Sequence, residues 1–177
     1  MATAVFGLVK SVGQAEEIVR QLRSAGFSDS DISVLMPDQS GSRDSAVEHS
    51  TKAPEGAATG AGAGGVLGGT LGLLAGIGAL AIPGLGPFIA AGPIMTTLSG
   101  AAVGAAVGGL TGALVGMGIP EYEAKRYEGK IKAGNILLSA HTDDSTERSR
   151  AKEIFERAGA EDISTATEEK VPHASRR

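Results

Sequence analysis

His141, Asp143 and Asp144 lie close enough in the chain to share a metal ion, or to pair a base with an orienting acid, and Ser139 falls on the His141 side of any strand. A plainer reading fits the same residues: a histidine at a strand end, beside an acid that caps the next helix. Alternate positions on a strand share a face without giving nucleophile-to-base geometry. His49 and His173 are distant in sequence and sit in polar stretches. The chain has no cysteine, which removes zinc-thiolate, disulfide and cysteine-nucleophile chemistry. Gly60, Gly62 and Gly65 match GxGxxG, but no strand precedes them and no acid follows about twenty residues later, so dinucleotide binding is not indicated. There is no GxxxxGK loop. Glu121, Glu123 and Glu128 with Lys125 and Arg126 read as a solvated helix face. The expectation is a non-enzymatic protein with no catalytic residues, no cofactor, no metal and no small-molecule substrate.

The pattern with most physical content is glycine. All 65 residues from Gly56 to Pro120 are uncharged, and they hold 20 of the 27 glycines. Gly60, Gly64, Gly68, Gly72 and Gly76 keep a stride of four, and so do Gly100, Gly104, Gly108, Gly112 and Gly116. Four residues advance a helix by about 400°, so each set forms one slowly drifting stripe where two backbones can approach closely. Two helical arms are expected, over about 57–82 and 95–118, spanning roughly 39 and 36 Å, joined by a turn in AIPGLGPFIAAGP. A bilayer core is about 30 Å thick, so either arm is long enough to cross it. Glycine costs a helix about 1 kcal/mol per position relative to alanine, so lipid or tight packing against copies must offset the loss. Gly and Ala add little to insertion, and the protein-buried alternative therefore stands beside the membrane one.

The flanks supply the elements that hold this stretch. Val5, Phe6, Leu8 and Val9 make a short strand, and Ser11 with Gln14 opens a helix bearing Ala15, Ile18, Val19 and Leu22. Gly26 ends the helix, and Ile32, Val34 and Met36 make a second strand. The C-terminal part repeats the design: NILLSAH as a strand, Ser145 capping a helix with Ala151, Ile154, Phe155 and Ala158, then Ile163, Thr165 and Thr167. Two such halves interleave as an α+β, ferredoxin-like split βαβ sandwich: a four-stranded antiparallel sheet with helices on one face, interrupted by a long Gly-rich helical hairpin. The divisions are residues 1–37 for the first half, 38–55 a polar linker, 56–120 the uncharged glycine-zipper hairpin, 121–170 the second half and 171–177 a tail. Pro120 opens a short polar helix over 121–132. Tyr122 and Tyr127 in it read either as interfacial aromatics or as packing on the sheet.

The stretch GIPEYEAKRYEGKIKAGNILLSAHTDD, after the glycine hairpin, and the opening VFGLVKSVGQAEEIVRQLRSAGFSDSDISVL resemble bacterial general-stress proteins known as low-temperature-induced. The resemblance covers nearly the whole chain outside the polar linkers. It implies a stress-associated role and supplies no catalytic residues to carry over. The expected function is a non-enzymatic stress protein whose hairpin inserts or docks in a membrane and self-associates as a scaffold. The alternative is a water-soluble homo-oligomer, a filament or shell, whose hairpins bury one another. The opening residues lack a signal-peptide pattern, and Lys125, Arg126, Lys130 and Lys132 follow the second arm. The expected place is thus the cytoplasmic face of the inner membrane, or the cytoplasm. A net charge of −4 argues against nucleic acid as a partner.

Overall fold

A computed structural model describes residues 3–38, 78–82, 86–95 and 109–167. In chain order the elements are β1 (Thr3–Val9), α1 (Val12–Ser24), β2 (Ile32–Pro37), β3 (Gly78–Ile82), β4 (Gly86–Ala91), α2 (Gly109–Gly116), α3 (Glu121–Lys132), β5 (Ile136–Thr142), α4 (Ser145–Arg157) and β6 (Glu161–Thr167). The fold is α+β, built on one antiparallel sheet in the order β3-β4-β2-β5-β1-β6.

The two flanks interleave. β5 lies between β1 and β2 and runs antiparallel to both, while β6 pairs with the far side of β1. Each strand–helix–strand half therefore steps over one strand of the other half. Local signals position the helices as the sequence requires. The Ser11 side chain accepts from the Gln14 N–H at 3.2 Å, and the Gln14 side chain reaches back to the Lys10 N–H at 3.1 Å. Gly26 leaves α1 at φ 99, a conformation that suits glycine. At α4 the cap is Asp144 rather than the expected Ser145, because its carboxylate accepts from both Thr146 N–H and Glu147 N–H.

Three expectations are corrected. Helices cover both faces of the sheet, not one. Ala15, Ile18 and Leu22 of α1 and Ile154 and Phe155 of α4 pack on the face carrying Val5, Val34 and Leu138. Leu110 and Leu114 of α2 and Ala124, Tyr127 and Ile131 of α3 pack on the face carrying Phe6, Leu35 and Leu137. A strand buried on both sides needs no alternation, which is why β1 and β5 read as continuous apolar runs.

The uncharged stretch, second, departs from two helical arms joined by a turn at two described segments, while residues 57–77 and 96–108 of the arms lie outside the described residues. Residues 78–82, expected at the end of the first arm, are β3; residues 86–91, expected in the turn, are β4. β4 pairs with β2, Val34 opposite Ala91 through Pro37 opposite Phe88, and β3 pairs with β4. Among the described residues the sheet has six strands instead of four. β2 ends at Pro37, and β3, the outermost strand on that side, begins at Gly78.

Third, the described helix at the end of the second arm stops at Gly116, short of residue 118. Gly109 at φ 49 starts α2, an eight-residue helix whose inner side is seated on the sheet. Among the described residues no helix is long and apolar enough to cross a membrane.

One glycine makes the added hairpin possible. Gly92 ends β4 at φ 86, and a Cβ there would lie 2.2 Å from the Ile32 carbonyl oxygen and 2.6 Å from Ser33 Cα. The turn that follows is held by the Ile94 N–H donating to Ser33 Oγ at 3.1 Å. Gly7 serves a similar purpose on β1, where a Cβ would meet the Phe155 ring at 2.4 Å.

Candidate functional site

The uncharged stretch meets the domain on the α2–α3 corner, and four features fix α2 there. Leu110, Ala113 and Leu114 are buried against the sheet. Thr111 donates both its N–H (3.1 Å) and its hydroxyl to the Glu128 carboxylate, so an acid from α3 satisfies an orphan donor in the first turn of α2. Lys132 pairs with Glu128 at 2.9 Å. The C-terminal end closes with Ile119 N–H on the Leu114 carbonyl at 3.1 Å, Gly118 being at φ 87, and with Ile119 buried. Burial works to raise the Glu128 pKa, but the Thr111 and Lys132 bonds outweigh it and hold the carboxyl below its ordinary value.

The opposite face of α2 has no such cover among the described residues. Gly112, Val115 and Gly116 are exposed, Val115 at 41%, and a Cβ built on Gly116 meets nothing within 4 Å. The helix sequence GLTGALVG has no charged or polar side chain apart from Thr111. A helix apolar all round is the signature of one buried on all sides, yet half of this one faces outward. Of the glycine set, Gly112 and Gly116 thus share the outward face; Gly60, Gly64, Gly68, Gly72, Gly76, Gly100, Gly104 and Gly108 lie outside the described residues.

α3 is locked to the edge strand β6 by a charged clamp. Arg126 pairs with Asp162 at 2.9 Å, Lys130 with both Asp162 and Glu161 at 2.7 Å, and Lys10 with Glu161 at 2.5 Å. Burial opposes ionisation of Asp162, but Lys130 and Arg126 prevail and hold it below the usual carboxylate range. The Tyr127 hydroxyl bonds the Asp162 carbonyl and lies 2.7 Å from Ser164 Oγ, and burial pushes its phenol up to about 12. Tyr127 is therefore packed, while Tyr122 in the first turn is 64% exposed. Glu128 is a structural partner rather than part of the solvated face expected of it, whereas Glu121, Lys125 and Arg126 are exposed.

The residues with chemical potential have other employment. His141 Nε2 is 3.3 Å from Asp143 Oδ1, an exposed contact next to a strand end. Asp144 is committed to capping α4, and the Glu147 and Thr146 N–H groups hold its pKa down. Ser139 shares the α2–α3 face of β5 but is wholly buried, and its Oγ has no hydrogen-bond partner. Among the described residues no three metal-binding side chains come together. A shallow groove of about 540 Å³ runs between α1 and α4, rimmed by Arg20, Arg150, Arg157, Glu17 and Glu153. Its charges are mutually paired: Arg20 with Glu17 at 2.7 Å, Arg157 with Glu153 at 2.5 Å, and Arg150 on the Ala25 carbonyl at 2.9 Å.

Sequence reasoning missed Glu128 as the cap of α2, Gly92 as the hinge of the added hairpin, and Ser33 as the acceptor below it. Only the hairpin had a signal: GALAI and GPFIAA are short apolar runs bounded by Gly and Pro, a strand pattern. Comparison with protein-family models, with curated proteins and with solved structures finds no match to this chain.

Proposed function

We propose that this chain is a non-catalytic, stress-associated scaffold, a ferredoxin-like domain that self-associates through the uncharged, glycine-striped surface built onto its sheet. The observation that carries the reading is α2. Its large residues point into the sheet, and Gly112, Val115 and Gly116 form an outer face that costs free energy in water and lets a second backbone come close. The stress role rests on the resemblance of the two flanks to low-temperature-induced proteins.

This reading favours assembly between copies over a bilayer-crossing hairpin. Two crossing helices need about 40 predominantly apolar residues. With β3, β4, α2 and the described turns at 92–95 and 117–120 taken into the domain, the uncharged residues that remain are 22 at 56–77, three at 83–85 and 13 at 96–108. The stretch from 38 to 77 also starts and ends at strands of one sheet, so an odd number of crossings is incompatible with the sheet. Lipid contact then takes the form of docking at a surface, for which the exposed Tyr122 next to α2 speaks.

The test is light scattering of the intact chain and of Gly116→Leu. Because a Cβ at 116 meets nothing within 4 Å among the described residues, the substitution is expected to leave the fold intact and to add about 1 kcal/mol of helix preference. The expected result is a fall in oligomer mass with unchanged circular dichroism. An unchanged mass would remove the α2 face from the assembly. Flotation of the lysate on a density gradient separates the two forms: a large particle free of lipid supports the copy-to-copy reading. A chain that floats with lipid and leaves it in an alkaline wash is docked on the cytoplasmic face.

A further inference from the structure

The two edges of the sheet are built differently. β6 begins with Glu161 and Asp162, both tied to cations, Asp162 stands at φ 50, and the pairing with β1 slips between Phe6 and Leu8. Charge, a left-handed residue and an irregular register are the devices that keep another strand from adding. β3, at the other edge, has none of them. Its sequence GALAI holds no charge and no proline, and it pairs with β4 in unbroken register from Gly78 to Ile82. Among the described residues no strand lies on its outer side.

We propose that β3 is a second interface, at which two copies of this chain pair their edge strands antiparallel about a two-fold axis at Leu80, making one continuous sheet of twelve strands. An open edge offers a row of N–H and C=O groups whose natural complement is another strand. The partner is a second copy because GALAI is complementary to itself. With Leu80 opposite Leu80, Ala79 faces Ala81 and Gly78 faces Ile82, so small residues meet small or large ones and no charges oppose. The proposal shares with the self-association reading only its choice of partner. A chain with two self-pairing surfaces, the β3 edge and the α2 face, grows as an open array instead of stopping at a dimer.

The absence of native cysteine makes the test direct. Directly opposed residues in an antiparallel pair have Cα atoms about 4.5–5.5 Å apart, within the range a disulfide spans. L80C in the full chain is expected to form an intermolecular disulfide under mild oxidation, whereas E153C, on the exposed side of α4, is not. A79K/A81K and A79E/A81E should each at least halve the assembly mass through like-charge opposition, and mixing them one to one should restore it. Restoration also shows that each variant is folded. Cross-linking of L80C no faster than of E153C, or an A79K/A81K chain that keeps the parent mass, overturns the proposal. The two surfaces are separable. If L80C cross-links while G116L keeps the parent mass, the β3 edge stands and the α2 face falls. If G116L lowers the mass and L80C does not cross-link, the reverse holds.

Discussion

Gly92→Ala tests whether the uncharged stretch belongs to the sheet. At φ 86 any L side chain is strained, at a cost of about 1–2 kcal/mol. The new Cβ would also sit 2.2 Å from the Ile32 carbonyl oxygen and 2.6 Å from Ser33 Cα, which are backbone atoms and can give way only by moving β2. Overpacking of this kind adds about 1–3 kcal/mol, for a total of roughly 2–5. Gly26→Ala is the matched control. Its φ is 99, but nothing lies within 4 Å of its Cβ, so it carries the conformational cost alone, about 1–2 kcal/mol. The difference between the two variants isolates the contact of the β4 turn with β2. With a urea slope of about 2 kcal/mol per molar, it is a midpoint roughly 0.5–1.5 M lower for Gly92→Ala, read by circular dichroism. Hydrogen exchange should show the loss first at the β2 amides that face β4. If Gly92→Ala matches Gly26→Ala, β4 does not fold back over β2, and residue 92 lies in an open turn as a helical hairpin would have it.

Three further outcomes follow from the α2–α3 side of the sheet. Ser139→Ala should be neutral or mildly stabilising in urea unfolding, because it removes a buried hydroxyl without a partner, whereas Ser33→Ala strands the Ile94 N–H and should cost about 1–3 kcal/mol. Of the two tyrosines, Tyr127 should ionise near 12 by ultraviolet titration, and Tyr127→Phe should abolish that late step and cost about 1 kcal/mol. Since its folded pKa is raised, its contribution is complete below the ordinary value of 10.0 and is lost as pH rises towards 12. Glu128 is shifted the other way: its contribution is present above the ordinary value of 4.5 and is lost as pH falls through the lower folded pKa. Acid should therefore loosen α2, read as faster exchange at the Thr111 amide, and Glu128→Gln should flatten that pH dependence.

The sequence made the flanks legible because their signals are local. A Ser11–Gln14 box, a Gly26 stop and apolar residues at 15, 18, 19 and 22 each act within one or two turns, so α1 could be placed without knowing its neighbours. The same holds for β5 and α4, and the repeated strand–helix–strand design of the two halves predicted their interleaving. The candidate site was legible in composition only: a stretch with no charge and a glycine stride must be covered by something. Two of the stride glycines, Gly112 and Gly116, do lie on one face of a helix.

What the residues could not decide by themselves was how far that stretch belongs to the domain. Glycine and alanine carry little preference for strand over helix, and a stride of four is as much a helical stripe as a scatter of small residues along a hairpin. Tertiary structure settled it for residues 78–82 and 86–91. The free side of β2 took β4, and β4 in turn took β3, in preference to leaving a helix of poor formers. The same competition placed α2. The sheet face formed by Phe6, Leu35 and Leu137 needed cover, and Leu110 and Leu114 supplied it once Glu128 could cap the helix start. Composition thus determined that this protein carries an uncharged stretch, and the long-range pairing of the sheet determined that 78–82, 86–91 and 109–116 of it are built into the domain.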